Sequence, residues 1–378
     1  MSYMTQPDDL LESIEQTQET IEVPHKAVDG DLAAARQLAT ELVSELQHLP
    51  DGDLVGEIVE TAMKLLRDQT NRGDMKLMNK TLKEIRYALK VFAPYRDVRK
   101  VTIFGSARTP ESDPDYQQAL RFAHGIAAKG WMVTTGAGGG IMAAGHGGAG
   151  ADPSFGLAIR LPFEQETNKF IATDKKLINF KYFFTRKLIF VRSCHALALF
   201  PGGFGTQDEG FEVLTLVQTG KAVPMPIVMV DHRGGDYWRG WMEFVEKHML
   251  NKGLISPTDL SLFKITEDAD AAIEEILHFY SNYHSVRSVR DELVMRLQRR
   301  PSDEQLARIN ELFSDILLGG VFRLSGPLPL EYDEPSLAHL ARLVFRFNQR
   351  DTGRMRVLID YLNDLAMAGD GASAPGTK

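Results

Sequence analysis

The stretch Pro-Gly-Gly-Phe-Gly-Thr-Gln-Asp-Glu at 201–209 decides the predicted fold of this chain. It follows the apolar run 196–200, which is typical of a buried parallel strand. Apolar residues at helical spacing follow it, from Phe211 to Val217, and Gly220 ends the helix. The stretch is therefore a glycine-rich turn between a strand and a helix. Such a turn lets backbone N–H groups approach a ligand, and the partial positive charge of the helix N-terminus suits a phosphate.

Two interpretations of this turn stay open. Thr206 and Glu209 have the spacing of a capping box, in which case the glycines merely make the turn. A lone glycine-rich turn is a weak sign of function. Two more glycine-bearing turns follow predicted strands, however, at Gly105 and at 136–140. Because the carboxyl ends of parallel strands meet at one edge of a sheet, we expect all three turns to open on that edge.

The order of elements along the chain predicts its domains. Strands alternate with helices over 98–283, which indicates an α/β domain, a Rossmann-like doubly wound parallel sheet with helices on both faces. Helical extensions are predicted on both sides of it. The N-terminal region covers 31–97, and a mostly helical C-terminal region covers 284–368, with helices expected at 284–300 and 335–348.

Composition limits the possible function and location. The formal charge of −8 over 378 residues argues against a nucleic-acid partner, which would require a basic face. The one cysteine, Cys194, excludes an internal disulfide and fits a reducing cytoplasm. No apolar run reaches the roughly 18 residues that span a bilayer, so we predict a cytoplasmic protein with no membrane partner. The acidic segment 1–30 does not resemble a signal peptide, and both it and the tail 369–378 are predicted to be disordered.

Two adjacent basic residues distinguish the helix before the central strand. Arg186 and Lys187 lie in an otherwise apolar helix that leads directly into that strand. A local positive field beside glycine turns, in a chain that is acidic overall, indicates a small anion such as a nucleoside monophosphate. The aromatic residues of the same segment are interpreted as core rather than as a platform for a base.

Arg186-Lys187 and the stretch 201–209 together closely resemble the RK…PGGxGTxxE signature of the LOG ("Lonely Guy") family, which was once misnamed lysine decarboxylase. The resemblance covers about 98–283. It implies hydrolysis of the N-glycosidic bond of a nucleoside 5′-monophosphate, AMP-like or a cytokinin riboside monophosphate, to free base and ribose 5-phosphate. It also implies a homodimer or higher homo-oligomer, because in the family the site is completed at a subunit interface.

The residues themselves suit this chemistry. Cleavage passes through an oxocarbenium-like ribose, which a carboxylate stabilises while it orients or deprotonates a water molecule. Glu209, at the start of a helix beside the glycine turn, is our candidate for that carboxylate, and the resemblance gives the same position the catalytic role. The resemblance also makes Arg186 the second catalytic residue, which would hold the substrate or favour departure of the base.

Further residues are predicted to bind the substrate or its phosphate. Gly105-Ser106 resembles the family's first nucleotide-contacting turn, and 136–142 resembles its phosphate loop. Glu212 lies one helical turn from Glu209 and could support it or bind ribose hydroxyls, or could be an ordinary solvated glutamate. The predicted binding set is Gly105, Ser106, Gly138, Gly139, Gly140, Met142, Lys187, Gly202, Gly203, Gly205, Thr206 and Glu212.

Departures from the family pattern keep a second hypothesis open. Ala143 and Gly145-His146 stand where longer members often have Glu and Asn. This motivates a nucleotide-binding regulator that has kept the pocket and lost turnover. A dinucleotide oxidoreductase is disfavoured, since the glycine turns do not fit GxGxxG. No His or Cys spacing indicates a metal and nothing indicates pyridoxal phosphate, so we predict neither a metal nor a cofactor.

Overall fold

The computed structural model describes residues 29–159 and 167–368. The disorder predicted for 1–30 and 369–378 concerns residues outside these ranges except Asp29 and Gly30, which begin a helix and so contradict it. Arg160, at the end of a predicted strand, also lies outside. The chain divides into two compact units, 1–84 and 85–378.

The N-terminal unit is helical, as its sequence predicts. Gly56 lies at a close approach between the first two helices, because a Cβ there would lie 3.0 Å from Val43 Cγ1. Ala88 and Phe92, at the end of the third helix, belong to a hydrophobic core of the second unit. The helices are α1 Asp29–Leu46, α2 Gly52–Arg67 and α3 Arg72–Phe92.

The second unit contains the parallel sheet that the sequence predicts. Over the described ranges the sheet has seven strands in the order β4-β3-β2-β1-β5-β6-β7, all neighbours parallel. The strands are β1 Lys100–Phe104, β2 Met132–Thr135, β3 Ser154–Ile159, β4 Leu177–Phe180, β5 Ala196–Leu199, β6 Ile227–Val230 and β7 Phe263–Thr266. The order reverses between β1 and β5, where doubly wound sheets form a ligand crevice. The edge strand β4 has four residues, too short to show a period in the sequence.

Helices cover both faces of this sheet and form two hydrophobic cores. One core includes residues of α6, α7 and α8, and the other includes residues of α4, α5 and α9. The Rossmann-like doubly wound fold is thereby confirmed. The helices are α4 Pro114–Ala128, α5 Ile141–Ala149, α6 Phe183–Arg192, α7 Phe204–Gln218, α8 Tyr237–Val245 and α9 Ala269–Phe279.

The C-terminal region is not mostly helical. In its described part, four antiparallel strands form a second sheet in the order β10-β11-β9-β8, with two helices packed on it. The strands are β8 Tyr283–Val289, β9 Glu292–Leu297, β10 Leu317–Ser325 and β11 Ala341–Phe347, and the helices are α10 Asp303–Phe313 and α11 Thr352–Ala368.

Two helix predictions in this region are therefore wrong. The helix expected at 284–300 is the β8–β9 hairpin, whose two-residue turn has Arg290 at a φ of 54°. Its Arg-Asp turn lacks the Asn-Gly type of signal that marks such hairpins. The helix expected at 335–348 is mainly β11, whose short apolar run 343–345 does not distinguish a buried strand from a helix. None of the helices described is long and apolar enough to cross a membrane.

Candidate active site

Three glycine-bearing turns are hydrogen-bonded to one another at the carboxyl edge of the parallel sheet. Ser106 in the turn after β1 donates its backbone N–H to the carbonyl of Pro201 after β5, at 3.0 Å. The turn after β2, residues 136–140, is called the β2 turn. Ile141, which follows it and begins α5, donates its N–H to the carbonyl of Ser106, also at 3.0 Å. The turn after β1 is thus held between the other two. The prediction that the three turns open on one edge is confirmed.

Close packing between the turns accounts for several of the predicted glycines. A Cβ on Gly202 would lie 2.2 Å from Thr206 Oγ1 and 2.9 Å from Ser106 N. Gly140 has a φ of 56°, and a Cβ there would lie 2.2 Å from the carbonyl oxygen of Ser106. Gly105 and Gly139 are constrained similarly, by Ile141 and by the carbonyl of Ala107. These glycines are required by the structure of the crevice, whatever it binds.

Gly203 and Gly205 are different, because packing does not require them. No described atom lies within 4 Å of a Cβ built on either residue. Gly203 has a φ of −84°, which any residue adopts. The adjacent Phe204 is 96% exposed. Open space therefore lies beside the N-terminus of the 15-residue helix α7, where backbone N–H groups and the helix dipole favour an anion.

Arg186 on α6 is held against the β2 turn. Its Cζ lies 5.4 Å from the ring centroids of both Phe183 and Phe190, within the range of cation–π contacts. A Cβ on Gly136 would lie 3.8 Å from Arg186 Nη1, so the guanidinium borders the backbone there. Burial lowers the pKa of Arg186, and the charge of Glu209 opposes this shift. Within the described residues the buried Nε of Arg186 has no hydrogen-bond partner.

Glu209 on α7 is the buried carboxylate of the site, with 4% of its surface exposed. Burial raises its pKa to about 7, and the positive charges of Lys187 and Arg186 only partly oppose that shift. A carboxyl group that titrates near neutral pH can exchange a proton during catalysis. The structure therefore places a group suited to acid–base chemistry in the electrostatic field of Arg186.

Lys187 connects α6 to α7 through two ion pairs. Its Nζ lies 2.7 Å from Asp208 Oδ2 and 2.7 Å from Glu212 Oε2. Although burial lowers the pKa of Lys187, the carboxylates of Asp208 and Glu212 leave it above its ordinary value. Its charge is thus engaged by two carboxylates that flank Glu209 along the helix. Glu212 is accordingly an ion-pair partner rather than a solvated glutamate, while the predicted roles of Lys187 and Glu212 toward a ligand stay predictions.

Some residues that shape the site were missed in the sequence. Tyr237 at the start of α8 donates its hydroxyl to the carbonyl of Gly202 at 2.5 Å. Asn168 donates Nδ2–H to the carbonyl of Gly138 at 2.9 Å, and His146 adjoins Asn168. No local signal marks these residues, because each acts on a turn that is distant in sequence.

The fold and the site define a doubly wound α/β protein in which Arg186 and Glu209 interact electrostatically beside glycine turns at the switch point of the sheet. Residues 138–276 match the protein-family model described as "Possible lysine decarboxylase", the former name of the family that the motifs resemble. This match lies within the α/β domain and agrees with the resemblance that the motifs show. No curated protein matches the chain significantly.

Solved structures similar to part of this chain include proteins of several descriptions. A molybdenum cofactor binding protein from Rippkaea orientalis is 20% identical, with 47% of this chain and 93% of that chain covered and a TM-score of 0.34. A molybdenum cofactor carrier protein from Chlamydomonas reinhardtii is 18% identical, with coverage of 48% and 98% and a TM-score of 0.33. DNA processing protein A from Helicobacter pylori is 13% identical, with coverage of 48% and 82% and a TM-score of 0.32. Similarity at this level identifies no function.

Proposed function

We propose that this protein hydrolyses the N-glycosidic bond of a nucleoside 5′-monophosphate, AMP-like or a cytokinin riboside monophosphate, to free base and ribose 5-phosphate. The observation that carries the proposal is the buried Glu209, with a pKa raised to about 7, in the field of Arg186 at the edge where three glycine turns meet. The match of residues 138–276 to the family model supports it.

The phosphate and the ribose would occupy different parts of this edge. The open space at Gly203 and Gly205 suits the phosphate, which would accept hydrogen bonds from backbone N–H groups at the start of α7. Arg186 would contribute the positive charge of its guanidinium. The predicted phosphate role of Lys187 is the weaker one, because its Nζ is already bound by Asp208 and Glu212.

Glu209 would act on the ribose and the attacking water. As the bond between C1′ and the base nitrogen breaks, its electron pair leaves with the base and positive charge develops on the ribose. A carboxylate stabilises this charge. A water oxygen then bonds to C1′ while Glu209 accepts a proton from that water, and Glu209 then passes this proton to the departing base. A pKa near 7 lets the same carboxyl group accept and return the proton at neutral pH.

The site also bears a surface that a second copy of the chain would cover. Phe183, Phe184 and Leu188 of α6 and Phe204 of α7 are about half exposed or more. Exposed apolar side chains grouped on two adjacent helices are typical of an interaction surface. They support a homodimer or higher homo-oligomer in which a partner closes the crevice. A cytoplasmic location belongs to the same proposal.

A panel of nucleoside monophosphates, assayed for release of ribose 5-phosphate, tests the proposal. Release that Glu209→Ala and Arg186→Ala both abolish would support it. Calorimetric binding of a nucleotide without any release would favour the alternative, a nucleotide-binding regulator. That alternative is motivated by the unusual residues Ala143 and Gly145-His146.

A further inference from the structure

A fully buried histidine on α5 lies behind the β2 turn. The imidazole of His146 is 0% exposed. Its Nε2 lies 3.0 Å from the carbonyl oxygen of Phe155 and 3.2 Å from Thr135 Oγ1. Its Nδ1 lies 3.1 Å from Asn168 Nδ2. The ring therefore joins α5 to β2, to β3 and to the segment that contains Asn168.

These contacts define the form of the imidazole. The carbonyl of Phe155 can only accept, so Nε2 carries the proton and donates. In neutral imidazole Nδ1 is then an acceptor, and Asn168 Nδ2 donates to it. Burial lowers the pKa of His146, which keeps the ring neutral. Asn168 Oδ1 lies farther from Nδ1, at 3.3 Å, consistent with this orientation of the amide.

Asn168, which is hydrogen-bonded to His146, is also hydrogen-bonded to the β2 turn. Its second Nδ2–H donates to the carbonyl of Gly138 at 2.9 Å, and its backbone N–H donates to the carbonyl of Ala137, also at 2.9 Å. Thr135 Oγ1 accepts from the N–H of Ala137 at 3.0 Å. Ala137 itself has a φ of 65°, which is uncommon for a residue with a Cβ. Such a conformation persists only where its surroundings impose it.

The turn held in this way borders Arg186. Gly136 precedes Ala137, and a Cβ on Gly136 would lie 3.8 Å from Arg186 Nη1 and 2.8 Å from Met142 Sδ. A shift of the turn would therefore move the backbone against which the guanidinium rests. The contacts pass from His146 through Asn168 to the turn, and from the turn to Arg186.

We propose that His146 is a positioning residue: through Asn168 it holds the turn 136–138 in the conformation that places Arg186 for substrate binding. This inference rests on the proposed function for its kinetic readout. It gives a role to a residue at which the chain departs from the family pattern. His146 touches no substrate in this account, so its loss should weaken binding more than it slows the chemical step.

The test compares His146→Leu, which keeps the bulk and removes both hydrogen bonds, with Ala144→Gly. Ala144 is buried on the same helix, and its change destabilises α5 without touching the network. We expect His146→Leu to raise KM for the nucleotide about tenfold and to lower kcat less than threefold, as loss of uniform binding does. Asn168→Ala, a change in a half-buried residue, should have a similar effect. The double variant should be no worse than either single one, because the two residues act in series.

Equal KM values in His146→Leu and Ala144→Gly, or additive effects in the double variant, would overturn the inference. Should His146→Leu fail to fold, Asn168→Ala alone decides it by the same comparison. A second readout needs no substrate: ¹⁵N NMR should show the Nε2–H tautomer, and hydrogen exchange at 136–140 should be faster in Asn168→Ala. A wild-type protein that releases no ribose 5-phosphate would refute the proposed function. The tautomer and the exchange rates would then still decide the inference, and an Nδ1–H tautomer or unchanged exchange would contradict it.

Discussion

Lys187 and Glu212 form an ion pair, 2.7 Å from Nζ to Oε2, that fixes helix α6 to helix α7. Lys187 and its neighbour Arg186 therefore meet α7 in different ways. Lys187 is engaged by two carboxylates, whereas the Nε of Arg186 has no hydrogen-bond partner within the described residues. The ion pair links the two helices and engages the charge of Lys187, but not that of Arg186. The charge of Arg186 also lowers the pKa of Glu209 and so opposes part of the rise that burial causes.

Removing the charge of Lys187 should shift the pH dependence of hydrolysis upward. Lys187 lowers the pKa of Glu209, whereas Asp208 raises it. Lys187→Met should therefore move the acid limb of the kcat/KM profile to higher pH. Asp208→Asn should move it to lower pH, because a negative neighbour is removed. Shifts of the same sign in the two variants would contradict this electrostatic assignment.

Glu209→Gln should stabilise the fold at neutral and alkaline pH. The pKa of Glu209 rises from 4.5 to about 7 in the folded protein, so the folded state resists ionisation of this group. The stability that the protonated carboxyl provides is present below pH 4.5 and is lost as the pH rises through about 7. We expect Glu209→Gln to gain about 2 kcal/mol in the free energy of unfolding at pH 8 and little at pH 4. Urea unfolding at both pH values measures this, with the exposed Glu243→Gln as control. A gain of equal size at both pH values would argue against a raised pKa.

Gly202→Ala and Gly203→Ala provide a matched pair at adjacent positions. The new Cβ at 202 would lie 2.2 Å from Thr206 Oγ1 and 2.9 Å from the backbone N of Ser106, whereas nothing lies within 4 Å at 203. We expect Gly202→Ala to lose about 2 kcal/mol of stability through strain between the turns. Gly203→Ala should change stability by less than about 0.5 kcal/mol. Thermal unfolding distinguishes the two, and equal losses would mean that the turns do not meet as described.

Replacement of exposed aromatic side chains at the site should dissociate the proposed oligomer. Phe183 is 52% exposed and Phe204 is 96% exposed. If a second copy covers them, the double change Phe183→Ser with Phe204→Ser should shift sedimentation toward the monomer. Tyr332→Ser, at an 83% exposed position in the C-terminal region, is the control. A wild-type protein that sediments as a monomer at micromolar concentration would contradict this prediction.

The sequence predicts those parts of the fold whose signals are local. The stretch 201–209 combines a buried strand, glycines and a helix start within a few residues, and the structure has each element there. The hairpin of β8 and β9 lacks a typical turn signal, and the apolar run 343–345 of β11 is too short to show a period, so the sequence does not distinguish strands from helices in either place.

The features of the site that the sequence does not predict depend on tertiary contacts. Lys187 pairs with carboxylates on another helix, and Asn168 reaches Gly138 across 30 positions of the chain. Neither pairing leaves a pattern of spacing within its own element. The raised pKa of Glu209 likewise arises from burial, which follows from packing of the complete α/β domain.

The most direct test of the central claim measures ribose 5-phosphate released from AMP and related nucleoside monophosphates by the wild type, Glu209→Gln and Asp208→Asn. The two variants make the same change from carboxylate to amide at adjacent positions, one buried and one exposed. We predict that Glu209→Gln lowers kcat at least a thousandfold, since it removes the group that accepts the proton from water. The kcat of Asp208→Asn, measured at the pH optimum of that variant, should stay within about tenfold of the wild-type kcat. Equal activity of Glu209→Gln and the wild type would contradict the account.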